Sequence, residues 1–573
     1  MTEGKSAAPA RLVLWSAVCL CLFSACSREH YRRSADREVY TIVQEKQKAA
    51  LGKTNAFSID TPYSHRNPDD IKAKEIIAER LEEAKQTLTL PDALRMALEN
   101  NRQFQLRKEQ LYLSGLTLTR ERFVYVPQFF AGTTVTGERV PGDDPGVSVA
   151  NRLGFDKVFK TGGRISLDLA NDILSFYAGG RGDSAVSTIA LSLSQPLLRG
   201  AGAKIAAENL TQAERDVIYE IRDFSYFQHT FAFDVITTYL RLVQQQDTVR
   251  NQYDNFLSRV SLRERSEALS VDRLAPFQAD LAAQEELTAR NSYILAVERY
   301  RNALDTFKVT LGLPVGYDVR LDDSVLKELE AVGLMPVPLA NEQAINLALD
   351  KRPDLLNEID VFEDSKRKIM VAADRLKPDL LLFANSAIVS EGGTDYFNFD
   401  MNDYRLAGGV QLDLPINRKL ERNNYRSSII SFERQLRELA LFLDNLKNDI
   451  REDLRTLDSS RQSYDIQVRA KALADRRVES SELSLQAGRI QVRDVVDAQT
   501  SRVQAYNAAT AALVDYHLTR MRLLLDLGIL KTEKERFWLD YGDVPKVDGA
   551  TPGQPKTSDQ LITPDQLFKN DKQ

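Results

Sequence analysis

The stretch Ala93-Leu94-Arg95-Met96-Ala97-Leu98-Glu99 returns as Ala344-Ile345-Asn346-Leu347-Ala348-Leu349-Asp350, a displacement of 251 positions (93 to 344). The same displacement carries Pro127, at the head of a strand-like run, onto Pro378. Further on it falls to 219, taking Pro196 onto Pro415 and Ala279 onto Ala498. The drop from 251 to 219, 32 residues, lies between the paired prolines, so the first copy has the longer strand region. A repeat of this period means two copies of one supersecondary plan that pack together. Each copy reads short helix, strands, very long helix, tip, shorter helix. Two repeats, at 88–330 and 331–541, therefore replace the three or four domains that length alone suggests.

The long helices exclude a compact globule. Pro415 to Gly488 spans 73 positions with no proline or glycine between them, and Pro196 to Leu269 spans the same number. A helix of that length measures about 110 Å. Ile429, Phe432, Leu436, Leu439, Leu443, Leu446 and Ile450 step three and four alternately, the pattern of a coiled-coil seam. The shorter helices, about 89–125 and 271–311, together match one long helix and can lie end to end beside it. Such helices build a rod, a bundle or a tube.

Strands are expected at 129–139, 164–169 and 187–194 in the first copy, and at 379–389 and 406–414 in the second. Ile189, Leu191 and Leu193 alternate with Thr188, Ala190, Ser192 and Ser194. That alternation fits a membrane barrel strand and a half-buried soluble strand equally. In a bilayer, a few strands cannot stand alone, because open edges leave backbone groups unpaired in hydrocarbon at several kcal/mol each. Closure needs about eight strands. Two hairpins per chain, with the extra strand candidate of the first copy either lengthening its hairpin or forming an external loop, must then share a barrel with other copies, and three copies of four strands give twelve.

The ends of the chain differ from its body. Lys5 and Arg11 precede an apolar run from Leu12 to Leu22, the length of a signal-peptide core and too short to span a bilayer. Residues 1–25 are expected to be a signal peptide. Leu22-Phe23-Ser24-Ala25-Cys26 resembles a bacterial lipobox, which makes Cys26 the expected lipid carrier; plain cleavage with an idle thiol is the alternative. Ser27 rather than Asp after it favours the outer membrane, by analogy with lipoprotein sorting. Residues 26–87 read as a polar linker with some helix near 70–86, and 542–573 as a disordered tail. Net charge is −6 with both signs interleaved, so no basic stripe points to nucleic acid.

The chain resembles the TolC-like outer-membrane efflux proteins over about residues 88–531. Leu193-Ser194-Gln195-Pro196-Leu197-Leu198 and Leu412-Asp413-Leu414-Pro415-Ile416-Asn417 look like that family's strand-to-helix junctions. The run Gly488-Arg489-Ile490-Gln491-Val492-Arg493-Asp494-Val495-Val496-Asp497-Ala498 resembles its periplasmic hairpin tip, and Leu287-Thr288-Ala289-Arg290-Asn291 ahead of Leu311-Gly312-Leu313-Pro314 also matches. The resemblance implies a mainly α-helical chain with membrane β-structure. Duplicated coiled-coil hairpins would form a periplasmic tunnel, and four strands per chain would enter a shared trimeric twelve-stranded barrel. It implies a lipid-anchored outer-membrane duct in a homotrimer, fed by a periplasmic adaptor (membrane fusion) protein and an inner-membrane transporter.

Asp494 and Asp497 are the expected pore constriction. Three residues apart, they share a helix face, and the matching aspartates of the family line the closed mouth. The plain alternative is two first-turn acids favoured by the helix dipole. In the first copy, Ala275 and Pro276 are expected at the positions of Asp494 and Val495, with Asp272 and Arg273 close by. The tips Leu269-Ser270 and Gly488-Arg489-Ile490 are the expected adaptor-docking points, with Gly488 placed for a positive φ. No enzyme chemistry, metal or cofactor is expected. The histidines, His30, His65, His229 and His517, are scattered without metal-ligand spacing, and Arg199-Gly200-Ala201-Gly202-Ala203-Lys204 lacks the spacing of a phosphate-binding loop. A type I protein secretion duct and a non-transporting periplasmic coiled-coil scaffold stay open as alternatives.

Overall fold

The computed structural model describes residues 28–139, 146–176, 184–271, 273–391, 398–532 and 536–540. The expected signal peptide at 1–25, the expected lipid carrier Cys26, Asp272 and the expected tail at 542–573 lie outside the described residues. In chain order the elements are α1 (Arg28–Leu51), α2 (Ala73–Arg80), β1 (Lys85–Leu88), α3 (Leu90–Asn100), α4 (Arg102–Phe123), β2 (Gln128–Glu138), β3 (Gly146–Val158), β4 (Arg164–Phe176) and β5 (Ser184–Pro196). There follow α5 (Ala203–Ala206), α6 (Glu208–Leu269), α7 (Pro276–Thr310), β6 (Asp318–Leu321), α8 (Ser324–Val332), α9 (Asn341–Lys351) and α10 (Pro353–Asp374). The last are β7 (Asp379–Val389), β8 (Tyr404–Asp413), α11 (Lys419–Gln486) and α12 (Val492–Asp526).

The repeat is visible element by element. α3 and α9 are each 11 residues, and α4 and α10 each 22, at the displacement of 251 read from the sequence. β2 and β7 are each 11 residues at the same displacement. The extra length of the first copy is the hairpin β3–β4. The strand count of four per chain is therefore corrected: β2-β3-β4-β5-β7-β8 form one six-stranded sheet, every neighbouring pair antiparallel. β3 escaped the sequence reading because Asn151 and Lys157 interrupt the apolar parity of Val147, Val149, Leu153 and Phe155, with Gly154 on the other face. Gly154 is required there: a Cβ would lie 2.3 Å from the Leu167 carbonyl oxygen and 2.6 Å from the Phe130 ring.

The chain divides into two units, and each draws on both repeats. The first comprises residues up to 64, 106–225 and 354–442. Its sheet has two chemically distinct faces, fixed by register. Phe129, Val149, Leu153, Phe155, Leu167, Leu169, Ile189, Leu191, Leu193, Leu382, Leu406, Val410 and Leu412 share one face. Many are exposed, Phe129 at 79%. Arg152, Asp156, Asp168, Asp172, Arg405, Gln411 and Asp413 share the other. One polar row crosses the apolar face and satisfies itself. Thr133 Oγ1 donates to Asn151 Oδ1 (2.9 Å), Asn151 Nδ2 to Asn171 Oδ1 (3.4 Å), and Asn171 Nδ2 to Ser187 Oγ (2.7 Å).

Below the sheet in sequence terms, α10 is tied to the start of α6 by ions rather than apolar packing. The buried Asp364 carboxylate takes Arg215 (2.6 Å), Arg367 (2.6 Å) and the Tyr219 hydroxyl (2.7 Å), while Arg222 reaches Asp360 at 2.5 Å. The expected linker differs from what is seen: α1 is a 24-residue helix that buries Val39, Ile42 and Val43. It seats against α4 at Gly115, where a Cβ would lie 2.7 Å from Val39 Cγ1, and the Tyr112 hydroxyl donates to Asp36 at 2.7 Å. Only three apolar residues in 24 are used, too few for a periodic signal.

The second unit comprises 65–105, 226–353 and 443 onward. β1 and β6 pair in parallel, and the buried Tyr239 hydroxyl donates to the carbonyls of Leu88 and Asp322 beside them (3.0 and 2.9 Å). Gly312, at φ 73°, passes Asn100, whose carbonyl would stand 2.4 Å from a Cβ. The coiled-coil seam of α11 is covered here at Leu446 and Ile450, whereas in the first unit Leu436 is 49% exposed.

His517 of α12 is wholly buried, and neither ring nitrogen has a hydrogen-bond partner among the described residues. Burial, reinforced by Arg520, pushes its pKa down to about 4. An unfolded histidine titrates near about 6.5. Stability is therefore complete above that value and falls as pH drops toward 4, because the unfolded chain takes up a proton the fold refuses. The expected loss between pH 7 and pH 4.5 is about 2–3 kcal/mol. His517→Leu should shrink the difference in unfolding free energy between the two pH values by that amount, read from denaturant melts at each.

The hairpin tips as the candidate site

The tips lie in the second unit, where α6 turns into α7 and α11 into α12. Each turn is built from helix-end chemistry. α11 ends in a left-handed glycine, Gly488 at φ 68°, as expected from the sequence. Its N–H donates to the Leu485 carbonyl (2.9 Å) and that of Arg489 to the Ser484 carbonyl (2.9 Å), the paired closure of a Schellman cap. At the other tip the N–H groups of Arg273 and Leu274 both donate to the Leu269 carbonyl (2.9 Å each), and Ser270 Oγ donates to the Glu267 carbonyl (2.7 Å).

The two tips are packed on one another. Leu262 of α6, Ala282 of α7, Leu485 of α11 and Val492, Val495 and Val496 of α12 form one buried cluster, with Leu274 and Ile490 against it. Of the expected docking residues, Ile490 is thus partly a core residue, Leu269 and Ser270 are half-buried, and Gly488 and Arg489 are exposed. A hydrogen bond joins the copies: the Val492 N–H donates to Gln278 Oε1 at 3.2 Å.

Asp494 and Asp497 are both exposed. Asp494 has a local task, since its Oδ2 accepts the N–H of the N-cap residue Gln491 at 3.0 Å. Asp497 lies toward Arg259, a residue that the sequence reading missed. Arg259 is 2% exposed; its Nη2 donates to the Val496 carbonyl (2.9 Å) and to Thr500 Oγ1 (2.8 Å). Nε and Nη1 have no hydrogen-bond partner among the described residues. Burial pushes its pKa below the usual arginine range, opposed by the carboxylates of Glu285 and Asp497. A signal existed: Asn255, Arg259 and Ser266 are polar residues on the buried stripe that Leu262 occupies. Beside it, Arg263 clamps α6 to α7 through Glu286 and bonds Glu267 at 2.8 Å. Two exposed apolar side chains at the first tip also went unremarked, Val271 (86% exposed) and Phe277.

The structure corrects the alignment of the tips. α7 and α12 are both 35 residues and begin after the N-caps Ala275 and Gln491, a displacement of 216 (275 to 491) rather than 219. Gln278, not Ala275, stands opposite Asp494, and Leu281 stands opposite Asp497.

No family model matches the chain, and no curated protein matches it in sequence. Solved structures do match in shape. The Campylobacter jejuni CmeC outer membrane channel superposes with a TM-score of 0.56 at 13% identity, over 77% of this chain and 85% of that one. The outer membrane protein VceC of Vibrio cholerae gives 0.56 at 12%, over 77% and 96%. The open state of the Neisseria gonorrhoeae MtrE outer membrane channel gives 0.53 at 14%, over 79% and 89%.

The chain has the outer-membrane channel fold. The resemblance to TolC-like proteins read from the sequence is borne out at the level of this fold, as is the mainly helical architecture joined to a sheet. Among the described residues no helix is long and apolar enough to cross a membrane. No Cβ clash awaits at Gly488, around which nothing lies within 4 Å. The cost of Gly488→Ala is then the left-handed backbone alone, about 1 kcal/mol. Amide exchange at Gly488 and Arg489 should speed about five-fold, while the global unfolding midpoint falls by only about 1 °C in a chain of this length.

Proposed function

We propose that this chain is a passive exit duct in an outer membrane, handing small molecules from a periplasmic adaptor and inner-membrane transporter to the exterior. The observation that carries this is the sheet: one exposed apolar face, one charged face and two edge strands, β2 and β8, without neighbours among the described residues. A bilayer tolerates such a sheet only when the edges are closed. Further support comes from exposed apolar pairs one heptad apart, Leu106 with Leu113, Leu287 with Ile294 and Ile466 with Leu473. Heptad-spaced exposed apolar residues suit helix packing between copies. The reading is of three copies, lipid-anchored at Cys26, with no catalytic role.

In this reading Asp494 and Asp497 of three copies gather six carboxylates at the mouth, where like charges attract cations. The tip residues Leu269, Ser270, Gly488, Arg489 and Ile490, together with the exposed Val271 and Phe277, receive the adaptor. Conductance in planar bilayers and detergent-stable trimers test the duct itself. A water-soluble monomer without conductance would return the chain to the scaffold reading. Drug accumulation in a deletion strain, set against loss of a secreted protein, separates small-molecule export from protein secretion.

Asn retains the acceptor oxygen that caps α12, so Asp494→Asn with Asp497→Asn removes charge while keeping the helix start. The double variant should lose most of its cation preference in single-channel reversal potentials. Unchanged selectivity would remove both residues from the constriction.

A further inference from the structure

The girth of a shared barrel follows from the strands each chain supplies. The hairpin β3–β4 is wall, not loop. β3 pairs with β2 from Gln128↔Asp156 to Glu138↔Gly146, and β4 pairs with β5 from Arg164↔Ser194 to Leu174↔Ser184. It continues both faces of the sheet, setting Val149, Leu153, Phe155, Leu167, Leu169 and Ile173 on the apolar side and Arg152, Asp156, Asp168 and Asp172 on the charged side. Phe155 also packs its ring, tilted by 51°, 5.8 Å from that of Phe129 of β2. A hairpin projecting out of the membrane would have no cause to keep lipid-like alternation in register with its neighbours.

Six is an even number, so β8 runs antiparallel to β2. The β8 edge of one copy can therefore accept the β2 edge of the next in the same antiparallel sense as every other pair in the sheet. We propose that a second copy of this chain occupies each edge and that the closed barrel has eighteen strands, six from each of three copies. This rests on the duct reading above and sets its calibre. Strands about 4.8 Å apart and tilted about 40° give a ring about 36 Å across for eighteen strands, against about 24 Å for twelve. Barrels of that strand number hold an aqueous channel. The inward face carries both signs of charge and no large apolar cluster from the inserted hairpin, which suits bulky hydrated solutes of either charge.

Electron cryomicroscopy of the full chain in detergent counts the strands directly, with eighteen expected. A trimer with a twelve-stranded ring and β3–β4 outside it overturns the proposal and leaves the duct standing. A soluble monomer overturns both. A second measurement uses neutral polymers added from the exterior side of a planar bilayer. Their size cut-off should be about 1.5 times larger for the natural chain than for a variant with β3–β4 excised and β2 joined to β5 by a short turn. Equal cut-offs overturn the wider lumen; should the variant not assemble, the strand count decides.

Discussion

Unpaired backbone hydrogen-bonding groups along two sheet edges are the constraint from which the rest follows. In water the edge groups of β2 and β8 are solvated; against hydrocarbon they must find partners, and the described chain offers none. In the proposed bilayer setting, association then follows from the secondary structure itself. The same rule explains the polar row Thr133, Asn151, Asn171 and Ser187. Amides on an apolar face are costly unless bonded, and these bond laterally, strand to strand, at the positions that register places side by side.

The helical parts obey a different economy. Around α10 and the start of α6, charged side chains do the joining, with Asp364 buried among Arg215, Arg367 and Tyr219. A buried carboxylate so surrounded fixes register more than it adds stability, since desolvation offsets much of the attraction. Near the tips the apolar cluster of Leu262, Leu485 and Val492 supplies cohesion, and Arg259 enters it as a charge only partly bonded. Two of its donors have no hydrogen-bond partner among the described residues, and the carboxylates of Glu285 and Asp497 offset part of the buried charge.

Much of this was legible in residues. Repeated prolines and the alanine-rich segment set the paired helices to the residue, because α3, α4 and β2 recur without insertion in α9, α10 and β7. Gly488 announced its turn because a left-handed cap favours that residue. What stayed hidden was tertiary in origin. β3 carries Asn151 and Gly154, whose reasons are a lateral amide ladder and a crowded Phe130 ring on neighbouring strands. α1 is held by a notch at Gly115, invisible in its own weakly patterned sequence. Arg259 showed in the sequence only as a polar residue on an apolar stripe; its partner, the Val496 carbonyl, came from α12.

In the proposed duct, the corrected register of the tips changes what symmetry the mouth can have. Were the repeats equivalent, three copies would present six like hairpins and a six-fold ring of acids. Instead Gln278 and Leu281 occupy the first-copy positions of Asp494 and Asp497. The first hairpin thus contributes a neutral amide that caps its neighbour through the Val492 N–H, and an exposed Phe277 beside it. Carboxylates at these two positions would come only from the second hairpin, in three clusters separated by tips that present Arg273 and the exposed apolar Val271 and Phe277. A partner docking on such a mouth meets alternating surfaces, so its own contacts need not repeat six-fold either.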